Sequence, residues 1–184
     1  DRVASRTVPF GHTMVGQDLR LNAGSRHVVP FAIEVPWITP INTLKGRRLA
    51  GVSLGVYTGM RMGGTFTESD SDPLEAGPLP IQEQVLKALE RLRFVPGATD
   101  LEDIRLPPAQ TWFLQRLKYG PSEEYAKHFR QLKVAFVTDP QAVNVQLSTD
   151  DGRSHQLIVA HEQIDVFNAD EALAMQLAAI TGSR

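Results

Sequence analysis

From Ile81 to Leu92 an apolar side chain recurs every three or four positions: Ile81, Val85, Ala88, Leu89 and Leu92. At 3.6 residues per turn these fall on a single stripe, the mark of an amphipathic helix over about residues 81–93. Pro80 suits the first helical turn, where a missing N–H costs nothing. Glu83 and Lys87 form a favourable i,i+4 pair, and Pro96-Gly97 is expected to end the helix. Such a stripe is stable only against another apolar surface. The rest of the chain offers that surface mainly as strands, because most of its other apolar patterns alternate.

Val29, Phe31, Ile33 and Val35 alternate with Ala32 and Glu34. This predicts a strand with one face on a core, ended by Pro36 and Pro40. Val15, Leu19 and Leu21 alternate more loosely, and Asn22-Ala23-Gly24-Ser25 reads as a turn. A further strand is expected over 49–57, with Val52, Leu54 and Val56 on one face. Glu68-Ser69-Asp70-Ser71-Asp72-Pro73 is polar and turn-prone, and Gly77-Pro78-Leu79-Pro80 is stiff. Together they read as a linker, with a domain boundary near Asp72. Beyond the helix, 98–106, 112–119, 132–137, 143–147 and 156–160 are strand candidates. Asp139-Pro140-Gln141 and Asp151-Gly152 supply turns between strands, and 120–130 reads as a loop. Leu173, Leu177 and Ile180 mark a second helix over about 169–180, with Asn168 and Glu171 as a capping pair and Gly182 as its stop. The organisation is mainly β, in two strand-rich halves, 1–72 and 73–184.

The chain is long enough, at 184 residues and 42% hydrophobic, to bury a core without staples. It has no cysteine, which excludes disulfides, thiolate metal sites and thiol catalysis. The net charge is -2, and basic residues are not concentrated: 8 basic and 6 acidic residues lie in 1–72 against 11 and 15 in 73–184. Neither nucleic acid nor an anionic membrane is expected as a partner. No apolar run reaches the length of a transmembrane helix, and the first residues do not read as a signal peptide.

The residues that could carry chemistry do not form recognised spacings. Ser53 lies between Val52 and Leu54, outside any nucleophile elbow. His12, His27, His128, His155 and His161 form no metal-binding pair, and His161-Glu162 has no second histidine downstream. Asp70 and Asp72 lack the glycine and closing glutamate of a calcium loop. Gly59, Gly63 and Gly64 are not followed by a helix that could cradle phosphate. Arg47, Arg48 and Arg61 read as a solvated strand edge. Trp37 and Trp112 read as packing aromatics rather than binding platforms. No catalytic, cofactor-binding or metal residue is expected, and the chain reads as a binding or scaffold protein rather than an enzyme.

Several segments then resemble one family, in order. Pro30-Phe31, Pro36-Trp37 and Thr39-Pro40 match the "PF-x-x-x-(L/V)-P-W-x-TP" segment of the sporulation-control protein family (SpoOM). Asp70-Ser71-Asp72-Pro73 matches its acidic linker. Residues 78–94 resemble its "P-x-P-(I/V)-Q-x-x-(V/I)-L-x-A-(L/F)-E-R-L-x-F" helix almost residue for residue. The strand pair at 132–137 and 143–147 resembles a later pair, so the likeness runs through most of 26–150.

The resemblance implies two arrestin-like β-sandwich domains in tandem, 1–72 and 73–184, with the helix near 81–93 at their junction and the other near 169–180 at the end. It implies cytoplasmic regulators of sporulation, development or stress that act by protein–protein interaction, with no cofactor and no catalytic residue to carry over. Protein partners, and a homo-oligomer formed through strand edges, are expected. A small-ligand or carbohydrate-binding sandwich is the alternative, and it requires a pocket lined by aromatic and polar groups. The first half holds about four or five strand candidates, fewer than the ~7 of a typical sandwich. Strands upstream of Asp1, as the family carries, are expected to complete it, ahead of strands from a second copy or from a partner.

Overall fold

The computed structural model describes residues 7–17, 20, 22–62, 64–106 and 110–182. By its contacts the chain divides into two units, Asp1–Trp37 and Ile38–Arg184. Within the first, the described residues form no helix or strand. The expected turn is present: the Ser25 N–H and hydroxyl both donate to the Asn22 carbonyl, at 3.0 and 2.7 Å, with Gly24 at φ 75°. The strand expected at 29–35 is not. The segment joins no ladder, and Phe31, Ile33 and Val35 are exposed. Alternation supplies a face, whereas a strand also needs a neighbour for its N–H and C=O groups. The candidate through Val15 extends to Leu19 and Leu21, which lie outside the described residues.

The second unit opens with two antiparallel pairs. The short strands β1 (Thr43–Leu44) and β2 (Arg47–Arg48) form one hairpin, and β3 (Leu54–Met62) with β4 (Thr65–Leu74) forms a longer ribbon. Two expectations change here. The strand expected over 49–57 begins only at Leu54, because Gly51 sits at φ 95° and breaks the extended run. The acidic stretch expected as linker is instead most of β4, with Asp70 opposite Thr58 and Asp72 opposite Val56. An exposed two-stranded ribbon needs no apolar side on either strand, so polarity there does not forbid pairing.

The helix α1 (Pro80–Arg91) and the helix α2 (Ala169–Gly182) coincide with the two expected helices. Gln82 Oε1 accepts from the Leu79 N–H at 2.8 Å, and Asn168 Oδ1 accepts from the Glu171 N–H at 3.3 Å, so each helix start has a side-chain partner. Helix α1 ends earlier than expected. Arg93 takes φ 61°, the Phe94 N–H donates to the Leu89 carbonyl at 3.0 Å, and the Arg93 N–H donates to Glu90 at 2.9 Å. This is a Schellman stop with arginine in the place usually held by glycine.

Pro96-Gly97 therefore does not stop the helix and lies in a strand. The strands β5 (Val95–Leu106), β6 (Gln110–Gly120), β7 (Leu132–Thr138), β8 (Ala142–Thr149) and β9 (Ser154–Ala160) form one antiparallel sheet in sequence order. The Pro96-Gly97 step is a bulge, and a Cβ on Gly97 would approach the Lys118 carbonyl to 3.2 Å. Alternate residues of the sheet face both helices: Leu117 and Tyr119, Leu132 and Val134, Val143, Val145 and Leu147, and Val159 join Ile81, Val85, Leu89, Leu173, Leu177 and Ile180 in one buried core. The loop over 120–130 closes one end, where Phe94, Tyr125 and Phe129 cluster with ring centroids 5.3–6.3 Å apart.

Side-chain amides tie the early part of this unit to the sheet. Gln115 Oε1 accepts from the Ile41 N–H at 2.8 Å and Gln115 Nε2 donates to the Ile41 carbonyl at 2.6 Å, as a neighbouring strand would. Asn42 does the same for the segment after β4, donating to the Leu74 carbonyl and accepting from the Ala76 N–H, both at 2.8 Å. Both residues satisfy backbone groups that would otherwise be stranded between elements.

Candidate interaction surface

The five-stranded sheet has two free edges, and the chain treats them differently. The β5 edge is guarded. It carries the bulge at Pro96, the exposed Asp100 and Glu102, and the loop at Gly51 pressed against the Thr99 carbonyl. Asp100 pairs with Lys118, and Glu102 with Arg116 at 2.5 Å. Bulges, charges and covering loops are the devices by which sheets avoid pairing with other chains.

The β9 edge carries none of these. Its sequence, Ser-His-Gln-Leu-Ile-Val-Ala, has no acidic residue, lysine, arginine or proline. The direction of its backbone groups follows from two bonds beyond its ends. The Thr149 N–H donates to the Arg153 carbonyl at 2.9 Å, and the His161 N–H donates to the Gln141 carbonyl at 2.9 Å. Odd-numbered residues thus face β8, and Ser154, Gln156, Ile158 and Ala160 turn their N–H and C=O groups out of the sheet. Gln163 Oε1 takes the Ala160 N–H at 3.1 Å. Among the described residues, the outward groups of Ser154, Gln156 and Ile158 have no partner in the structure. Ser154, Gln156 and Ile158 are exposed, Ile158 by 66%.

The sheet face away from the helices continues this surface. Val137, Asn144 and Ile158 lie in one row across β7, β8 and β9, with both apolar members exposed. Asn144 donates to Gln156 Oε1 at 3.3 Å, while Asn144 Oδ1 is shielded from solvent without a hydrogen bond. The hairpin before β9 is tied to neighbouring elements by hydrogen bonds. Arg153 donates to the Ile180 and His128 carbonyls, each at 2.6 Å, and to Asp151, which joins the end of α2 to the loop after β6. Hydrogen bonds from Arg153 and the Thr149 hydroxyl hold the Asp151 carboxyl well below the usual range.

The residues weighed for chemistry are dispersed. His12 and His27 are exposed in the first unit. His155 lies on β9, His128 lends its carbonyl to Arg153, and a His161 ring nitrogen bonds the Asp139 carbonyl at 2.9 Å. Ser53 is exposed just before β3 rather than within a strand. Gly59 is in β3 and Gly64, at φ 85°, is in the tip of the β3–β4 ribbon, while Gly63 lies outside the described residues. Arg47 and Arg48 form β2, with Arg48 bridging Glu75 at 3.3 Å, and Arg61 is in β3. Asp70 and Asp72 are on β4, Trp37 is exposed and Trp112 falls on β6. Burial pushes the Tyr119 hydroxyl up to about 12, which keeps it protonated in the core. No group of three or more His, Asp or Glu side chains converges as a metal site among the described residues.

A cleft of about 360 Å³ lies between α1 and the segment leading into α2. It is open, and Lys87, Arg91, Asp165, Phe167 and Asp170 are among its lining residues. Arg91 is already committed to Asp170, with bonds of 2.8 Å to both carboxylate oxygens. No helix among the described residues is long and apolar enough to cross a membrane.

Known proteins share both the sequence and this fold. The profile of the family described as SpoOM protein matches residues 1–153. The sporulation-control protein spo0M of Bacillus subtilis (strain 168) is 26% identical over 131 residues, which cover 71% of this chain and 48% of that protein. The chain thus spans about half the length of this curated relative. The crystal structure of Spo0M, a sporulation control protein from Bacillus subtilis, is similar with a TM-score of 0.67 at 23% identity, over 83% of this chain and 67% of that one. The mainly β, arrestin-like fold is therefore shared with that structure. With the profile spanning most of its length, the chain belongs to the SpoOM protein family.

Proposed function

We propose that this chain is a non-enzymatic regulator that works in the cytoplasm by binding other protein chains through its strand edges, in the control of sporulation, development or stress. The observation that carries the reading is the contrast between the two edges of one sheet: β5 is bulged and charged, whereas β9 leaves an uncharged row of hydrogen-bonding groups open. An unguarded edge is a template for strand addition. The relative named as a sporulation-control protein supports the regulatory role. The division into tandem arrestin-like domains, 1–72 and 73–184, belongs to the same proposal. Neither nucleic acid nor a cofactor has a part in it.

Complementation of a deletion strain tests the non-enzymatic half. Single alanine replacements of His12, His27, His128, His155 and His161 are each expected to restore the regulated phenotype at normal protein levels. One histidine that is essential while the melting temperature is unchanged would overturn the reading in favour of acid–base or metal chemistry.

A further inference from the structure

We infer that the partner at the β9 edge is an extended segment of another protein, uncharged where it pairs and flanked by lysine or arginine; the inference rests on the strand-edge reading above and names the chemistry of that partner. The outward groups that are open set the window. Gln163 already holds the Ala160 N–H, and Gly152, at φ 90°, belongs to the turn before the strand. An added strand therefore pairs over Ser154 to Ile158, about 17 Å of chain. Beyond Ile158 it runs past the connection from β9 to α2.

That connection selects by charge. Residues 150–182 carry six acidic side chains, Asp150, Asp151, Glu162, Asp165, Asp170 and Glu171, and one basic one, Arg153, although the whole chain is nearly balanced at -2. Arg153 neutralises Asp151, and Arg91 neutralises Asp170. Asp150 accepts from the N–H groups of Arg130 and Gln131, at 2.9 and 3.2 Å. Glu162, Asp165 and Glu171 are exposed, and no lysine or arginine among the described residues bridges them. All three follow Ala160, at the end where the open window closes. An acidic rim beside an open strand draws in a cationic segment and pairs with it, and it repels an acidic one. A second copy of this chain would bring the same negative excess with it. Within the window the demand is different. Helix α1 reaches β7 through the bond from Gln82 to Thr138 at 3.2 Å, α2 packs on β9, and Asp170 marks the flank of α2 that meets α1. By helical spacing Ala172, Gln176 and Ala179 lie on the opposite flank, toward the β9 edge, and all are half-buried. Neither that flank nor β9 holds a carboxylate, so a cation would find no partner there. The exposed Ile158 instead offers an apolar neighbour to the added strand.

Fluorescence anisotropy of the full chain with two labelled peptides tests this. Each peptide has a core of alternating threonine and valine matched to the window, with lysines at both ends of one and glutamates at both ends of the other. The lysine peptide is expected to bind at least about tenfold more tightly, an advantage that shrinks in about 0.5 M salt. Gln156→Pro removes an N–H that points away from β8 and is expected to weaken the lysine peptide at least about tenfold with an unchanged circular dichroism spectrum. Ser154→Pro serves if that variant does not fold. Glu162→Gln, Asp165→Asn and Glu171→Gln together keep the size of each side chain and are expected to remove the preference for lysine. A lysine peptide that does not bind, or a preference that survives the three neutral replacements, overturns the inference. Equal binding of both peptides that is lost in the proline variant overturns the charge assignment and leaves the strand-edge reading intact. Binding of the lysine peptide that is indifferent to the proline variant overturns both.

Discussion

Leu89→Ala is expected to lower the unfolding free energy by about 2–5 kcal/mol. Leu89 is 0% exposed, in the middle of the α1 stripe, and belongs to the same core as Val145, Leu147 and Leu177. Removing three carbons there forfeits their transfer energy and leaves a cavity that both helices and the sheet would have to collapse to fill. The Schellman stop depends on the same residue, since the Phe94 N–H bonds its carbonyl and the two side chains are buried together. The backbone bond survives in alanine, but the packing that fixes the sharp exit from α1 does not. Urea unfolding measures the loss. Lys87→Ala, on the exposed side of the helix, should stay within about 0.5 kcal/mol of wild type. A loss below about 1 kcal/mol at Leu89 would show that the stripe does not lie in the core.

Gly51→Ala is expected to cost at least about 2 kcal/mol, from two separate sources. Its φ of 95° is unfavourable for any residue with a Cβ, and that Cβ would lie 2.3 Å from the Thr99 carbonyl oxygen. The carbonyl belongs to β5 and cannot withdraw without disturbing the sheet edge. Gly46→Ala separates the two terms: Gly46 has φ 73°, and a methyl group added there would meet nothing within 4 Å. It should lose only the conformational part, about 1 kcal/mol. Equal losses at both positions would mean that the loop moves freely away from β5.

The helices and the last four strands were legible because each satisfies its own pattern: period 3.6 in α1 and α2, and strict alternation in β8, where Val143, Val145 and Leu147 are buried and Asn144, Gln146 and Ser148 half-buried. What was misread depended on partners far along the chain. Val29, Phe31, Ile33 and Val35 alternate as cleanly as β8 but have no ladder. The acidic run at 68–73 has a poor strand composition, yet β3 pairs with it. Arg93 ends α1 in a conformation usually left to glycine, while Pro96-Gly97, the stronger stop signal, serves a bulge and the close approach of Lys118. The absence of charge in β9 was visible in the sequence. Its importance was not, because only the sheet order shows that this strand is an edge and that β5, at the other edge, is guarded.

Complementation of the deletion strain with a chain carrying Gln156→Pro and Ile158→Lys tests most directly whether the protein acts through this edge. The two changes block strand addition without touching a side chain of the core face. The expected result is loss of the regulated phenotype with normal protein level and an unchanged melting temperature. Full restoration of the phenotype by this stable, edge-blocked chain would contradict the account.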